Sequence, residues 1–329
     1  MINWTKPQTE EFIEKHQDLV NWFDISIYQE LTEEFIEKHS KEINWDYISI
    51  YQKLTEEFIE KHSNKVDWNL ISQYQKLTEK VIEKYSKEIS WFNISEYQKL
   101  TKKFIEKHSN KVDWNLISEY QKLTKKFIEK HSNKVDWFNI SIYQKLTEEF
   151  IEKHSNEISW DYISKYQKLT EEFIEKHSNK VNWNLISIYQ KLTEKFIEKH
   201  GLTVPKDNWF YKSTNDKLSY IKENTNYEVI DNEYIIAYKT IRSDNYSVFN
   251  FQYKYEVGKV YTSHCDCNLE NENSFGLSVW TEEGALDYHS RGKLLKVKVN
   301  IEDIGAIVHN NNKIRCFKLE VLEELCDPS

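Results

Sequence analysis

Eight tryptophans, Trp22, Trp45, Trp68, Trp91, Trp114, Trp137, Trp160 and Trp183, follow one another at intervals of 23 residues without slippage. A fixed period of roughly 20–50 residues marks a repeat array, whose units are each too small to bury an apolar face alone and do so against their neighbours. The pattern stops near residue 201. All six glycines lie at or after Gly201, and Pro7 is the only proline before it. Residues 1–200 thus lack the residues that usually break helices. The expectation is an α-helical tandem-repeat solenoid over 1–201 followed by an α+β domain over 202–329.

With tryptophan at position 0, each module reads Trp, Ile at +3, Ser at +4, Tyr at +6, Gln at +7, Leu at +9, Thr at +10, Phe at +13, Ile at +14, His at +17 and Val or Ile at +21. Two helix starts are visible. Asn, Asp or Ser precedes each tryptophan, a residue type whose side-chain oxygen accepts from free backbone N–H groups. Thr at +10 opens the second helix. An apolar residue before each cap and Ile four residues after it match a hydrophobic staple. At about 100° per residue, Trp, Ile at +3, Tyr at +6 and Gln at +7 share one arc, so the tryptophans are expected in the shared interior. An inward glutamine needs partners, because an unpaired buried amide costs about 1–3 kcal/mol. Gln29 and its seven counterparts are therefore expected to bond backbone at helix ends or in the neighbouring module. The histidine row reads as an aromatic packing slot with a polar tip, since Tyr85 replaces histidine in one module.

Position +5 points about 160° from the apolar arc, toward solvent or a partner. It carries Ile27, Ile50, Ile142 and Ile188 in four modules. Lined-up outward isoleucines form a candidate contact row, with cover by neighbouring helices as the alternative. A second candidate is charge. Lys102, Lys103, Lys125 and Lys126 replace acids found elsewhere, and residues 99–134 hold ten lysines against four acids.

Bulk charge argues against a nucleic-acid module: the chain carries −9, divided −4 over residues 1–200 and −5 over 201–329. No apolar run approaches the roughly 20 residues that span a bilayer. The opening residues, Met1-Ile2-Asn3-Trp4-Thr5-Lys6, lack a secretory pattern, so a cytoplasmic location is expected. Cys265, Cys267, Cys316 and Cys326 all lie in the last third and read as reduced thiols. His264-Cys265-Asp266-Cys267 invites a metal reading, but thiolates one residue apart fit poorly with zinc spacing, and no metal site is assigned.

Beyond residue 203 the pattern turns to alternating β-type runs at Tyr234–Tyr238, Leu294–Val299 and Arg315–Val321, with a short helix over Thr281–Tyr288. Ala237-Tyr238-Lys239, Phe251-Gln252-Tyr253, Val257-Gly258-Lys259-Val260-Tyr261, Cys267, Gly276, Tyr288 and Val297-Lys298-Val299 together resemble a domain of unknown function from phage and bacterial proteins. That family often carries histidine two places after the glycine, where this chain has Ser278. The 23-residue module is similar to short helical repeats of bacterial, phage and giant-virus proteins. Gly276-Leu277-Ser278-Val279-Trp280, then Ala285 and Tyr288, also resembles the element order of ADP-ribosyltransferase folds. That second resemblance implies NAD as cofactor, Tyr288 stacked on nicotinamide, Glu320 on the ribose, and Arg242 or Lys239 near phosphate.

The leading reading is a non-enzymatic interaction scaffold without a cofactor, in which the solenoid holds a protein partner through Ile27, Ile50, Ile142, Ile188, Lys102, Lys103, Lys125 and Lys126. The alternative is an ADP-ribosyltransferase-like effector or toxin with the repeats as a targeting arm.

Overall fold

The computed structural model describes residues 2–205, 208–249, 251–289 and 292–325. Cys326 lies outside them. The chain forms two compact bodies, Met1–Ile117 and Ser118–Ser329, the first made of repeat modules and the second of further modules and an antiparallel sheet. Among the described residues, no helix is long and apolar enough to cross a membrane.

Each module folds into two short helices, as in Trp68–Tyr74 and Glu79–Lys84. The caps work as the sequence implies: Asp67 accepts from the backbone N–H groups of Asn69 and Leu70, and Thr78 accepts from Val81. Helices of six or seven residues are far too short to persist in isolation. Packing therefore holds them. The tryptophan-bearing helices of consecutive modules lie side by side within each body.

The interior centres on isoleucine rather than tryptophan. Ile25, Ile48, Ile71 and Ile94 in the first body, and Ile140, Ile163 and Ile186 in the second, are fully buried. The second helix adds an isoleucine and a Phe or Val, such as Ile82 and Val81. The tryptophans are only half-buried. Each closes the edge of its module: Trp45 packs at a tilt against His62, with ring centroids 5.0 Å apart, and donates its indole N–H to the Ser40 carbonyl at 3.0 Å. In the third module Tyr85 takes the histidine slot and stacks on Trp68 at 4.3 Å, so the packing role expected for this row holds.

Tyrosine at +6 also departs from the expected arc. Tyr28 and Tyr74 are exposed, whereas Ser at +4 is buried in every module. The reason is geometric: the buried face is centred between +3, +4 and +7, and +6 falls more than about 100° from that centre. The serine does a job that the periodicity does not announce. Ser141 donates to the Trp137 carbonyl four residues back (2.7 Å) and accepts the Ser159 backbone N–H of the next module (3.1 Å).

The glutamine ladder forms as expected. Gln75 donates to the Ser49 and Gln52 carbonyls, both at 2.8 Å, and accepts the Leu54 N–H at 3.2 Å. Gln167 repeats this with Ser141, Gln144 and Leu146 in the second body. Each amide thus satisfies three backbone groups that short helices leave unpaired at their ends. On the surface, an acid of one module caps the next: Glu33 accepts from both the backbone N–H and the hydroxyl of Thr55. Lys125 breaks this pattern. Its ammonium can only donate, and it does so to the Thr147 hydroxyl, which then makes no side-chain cap bond to its own helix.

The C-terminal sheet contains β1 (Glu228–Ile230), β2 (Tyr234–Ile241), β3 (Val260–Thr262), β4 (Leu277–Trp280), β5 (Lys293–Asn300), β6 (Ile304–Val308), β7 (Lys313–Cys316) and β8 (Lys318–Leu325). Its order is β3-β8-β5-β2-β4-β7-β6, with β1 also paired to β2 and all pairs antiparallel. The helix Thr214–Asn224 packs on the core through Ile221, and Thr281 caps the helix Glu282–Tyr288 where expected. One expectation needs correction. The run from Arg315 to Val321 is two strands, broken where the Phe317 N–H turns to the Asp303 carbonyl at 2.8 Å. Buried Arg315 then binds the carbonyls of Asp266, Asn268 and Asn271, fixing the loop that carries the paired thiols. Cys265 and Cys267 are fully buried against Gly305, where an added Cβ would meet the Cys265 sulfur at 2.5 Å. Burial pushes the Cys267 thiol well up, which fits packing and disfavours the thiolate a metal needs.

Candidate functional site

Between two helices of a module the chain runs extended for a few residues, with Gln at the C-cap in β conformation. Successive side chains there alternate sides. Gln at +7 turns in, the residue at +8 turns out, and Leu at +9 turns in. Position +8 is lysine in seven of eight modules, from Lys53 to Lys191. In the second body Lys122, Lys145, Lys168 and Lys191 are all exposed.

These four lysines line one wall of a cleft of about 1510 Å³ within the second body. The opposite wall comes from the sheet and its loops, including Lys239 on β2, Ser278 and Trp280 on β4, Lys313 on β7, and Tyr288. Phenylalanines from two loops hold the walls together. Phe249 lies against Tyr120 and Tyr143, with ring centroids at 5.7 and 6.0 Å, and Phe275 against Tyr166 and Tyr189 at 4.8 and 6.0 Å. Backbone bonds add direction: the Phe251 N–H donates to the Tyr120 carbonyl (3.0 Å), and the Gln252 side chain to that of Gln121 (3.3 Å).

The cleft is electropositive although the chain is acidic. Among the described residues, ten lysines line it against two carboxylates, Glu302 and Asp303. Lys217 and Lys313 are buried, and Lys239 is half-buried. They are held by neutral oxygens rather than carboxylates. Lys217 donates to the Glu302 and Ile304 carbonyls, Lys239 to the Ser278 carbonyl, and Lys313 to the Glu272 carbonyl and the Asn273 side chain. Removal from water disfavours their charge and lowers all three, Lys239 and Lys313 to about 8. Lys239 also sits over the Tyr255 ring at 5.1 Å and Lys313 over Trp280 at 5.0 Å.

His264 lies in the same cleft, and burial, helped by Lys168, pushes it down to about 4. The folded state therefore resists a proton that the unfolded chain accepts near pH 6.5. Neutral His264 contributes its full stability above that value, and the contribution falls as pH drops from 6.5 toward 4. Partial solvent access limits the loss to about 2 kcal/mol. Thermal melts from pH 7 to 4 should show a steeper decline for the native chain than for His264→Gln. Equal slopes would mean that His264 is not held neutral by its surroundings.

The residues singled out in the sequence fall in different places. Ile27, Ile50, Ile142 and Ile188 are all half-buried, and Ile142 lines the cleft. Lys102 is half-buried, whereas Lys103, Lys125 and Lys126 are exposed. None of these four lysines lines the cleft. Lys239 and Tyr288 do, while Arg242 and Glu320 are not among its lining residues. Arg242 pairs with Asp244 at 3.3 Å and covers the Phe251 ring at 4.7 Å. Glu320 lies within β8, opposite Val260 and Lys298. The +8 lysine row recurs visibly in the sequence, but its period alone does not mark it as part of a site. Phe249 and Phe275 gave no local signal. Comparison with protein-family models, curated proteins and solved structures yields no match to this chain.

Proposed function

We propose that the chain is a non-enzymatic interaction scaffold whose repeats hold a protein partner through the tyrosine row at +6. The supporting observation is the chain's own use of that row. In the second body Phe249 and Phe275 each lie against two successive tyrosines, and Tyr189 is only 7% exposed. In the first body Tyr28, Tyr51 and Tyr74 of the same row are exposed by 51, 37 and 47%, and Tyr97 is half-buried. Half-buried Ile27 and Ile50 precede two of these rings in the chain. An aromatic surface of this type matches the residues that dominate protein interfaces. The partner offers phenylalanine side chains with flanking backbone donors. The likeness of the C-terminal motifs to a phage-associated domain belongs to this reading and makes a phage-derived scaffold the proposed origin.

The test is affinity capture with the full chain beside a Tyr51→Ala/Tyr74→Ala double variant. A partner retained by the native protein and lost by the variant is the expected result. Equal retention by both, or no retained protein, would count against the row as the binding surface.

A further inference from the structure

We propose that the lysine-lined cleft of the second body binds single-stranded nucleic acid, with the +8 lysines following the phosphates and the aromatic side chains of the opposite wall stacking on bases. Charge is the first ground. Among its described residues, a net −9 protein concentrates ten lysines on one concave surface with two carboxylates. Such a surface focuses potential toward an anion. Among the described residues, Lys122, Lys145, Lys168 and Lys191 make no ion pair with the protein's own acids. Lys217 of the Thr214–Asn224 helix and Lys239 and Lys313 of the sheet are held by carbonyl oxygens, so the fold anchors these lysines without pairing them to an acid.

The second ground is regularity. One lysine per 23-residue module, presented from equivalent positions on modules that pack alike, gives cations at a repeating interval. A single phosphate or nucleotide has no use for such a row, whereas a chain of phosphates does. The cleft volume of about 1510 Å³ also exceeds that of ordinary small-molecule pockets, roughly 300–1,000 Å³.

The third ground is aromatic surface beside the charge. Tyr288 is 52% exposed and stacked on Trp280 at 5.2 Å, so its outer face is presented by a rigid support. Phe249 is 51% exposed on the same cleft. A charged groove with ring platforms is the combination that holds unpaired bases, whose faces are free to stack, while duplex bases are already stacked on one another. An acidic polypeptide would use the lysines and leave the rings without a role.

The experiment uses the full-length protein and a fluorescein-labelled oligodeoxythymidylate about 15 nucleotides long, followed by anisotropy at several salt concentrations. Lys145→Glu/Lys168→Glu should weaken binding by about tenfold or more and flatten the salt dependence by roughly 1.4 in log–log slope. Lys145→Arg/Lys168→Arg should bind as the native chain does. Tyr288→Ala should weaken the oligonucleotide several-fold while leaving inorganic tripolyphosphate affinity unchanged. Far-ultraviolet circular dichroism confirms that the variants are folded. No binding by the native chain at low salt, or native affinity in the folded double glutamate variant, overturns the proposal. So does displacement by polyglutamate as effective as by unlabelled oligonucleotide, combined with no effect of Tyr288→Ala, an outcome that would assign the cleft to acidic polypeptide.

Discussion

Gln75→Leu is expected to destabilise the first body by about 3 kcal/mol or more, seen as an earlier urea midpoint by circular dichroism. Leucine fills nearly the same space, so the loss would come from polarity and not from a void. Three backbone groups lose their partner at once: the Leu54 N–H and the Ser49 and Gln52 carbonyls. Each buried group left unpaired costs about 1–3 kcal/mol, and there is little room for water where Gln75 is 6% exposed. Gln75→Glu separates the donor from the acceptor contribution. Its carboxylate still accepts from Leu54 but faces two carbonyls, so burial and repulsion raise its pKa in the folded state. That variant should therefore gain stability as pH falls and the carboxyl regains a proton to donate. A change below about 1 kcal/mol for Gln75→Leu would show that the ladder is not a principal bond between modules.

Ile71→Ala should cost about 2–5 kcal/mol, the range for emptying a buried aliphatic site that relaxes only partly. Ile71 is fully buried in a body whose helices have six or seven residues and no stability of their own. The informative comparison is Ile50→Ala in the preceding module. Ile50 is half-buried and should cost clearly less. Equal losses in urea titrations would mean that the +5 face is as enclosed as the +3 face, and the tyrosine row beside it would lose its case as an open surface. Transitions in repeat arrays need not be two-state, so midpoints from fluorescence and circular dichroism should be compared before energies are assigned.

Much of the module was legible because its logic is local. Caps, staples and the inward glutamine depend on residues a few positions apart, and repetition makes each signal visible eight times. The departures were local too, but finer than an arc drawn at 100° per residue. A helix of seven residues makes less than two full turns, so the burial of Ser at +4 and the exposure of Tyr28 turn on where the centre of the buried face falls. Tryptophan is the largest apolar residue of the module, yet its size and its indole N–H suit the edge, where it covers His62 or Tyr85 and still reaches a serine carbonyl.

The candidate cleft shows the opposite case. Bulk charge over either half of the chain is negative, and averaging over sequence hides any surface whose members come from distant segments. Gln252 and Gln121, which meet across the cleft walls, are 131 residues apart. The amino-acid sequence by itself determined the two-helix module, its caps and the glutamine ladder between modules, because those forces act over short stretches of chain. Only the tertiary structure decided that Phe249 and Phe275 seat between tyrosines, and that lysines of the repeats face lysines of the sheet. Those placements depend on long-range packing, which no local period encodes.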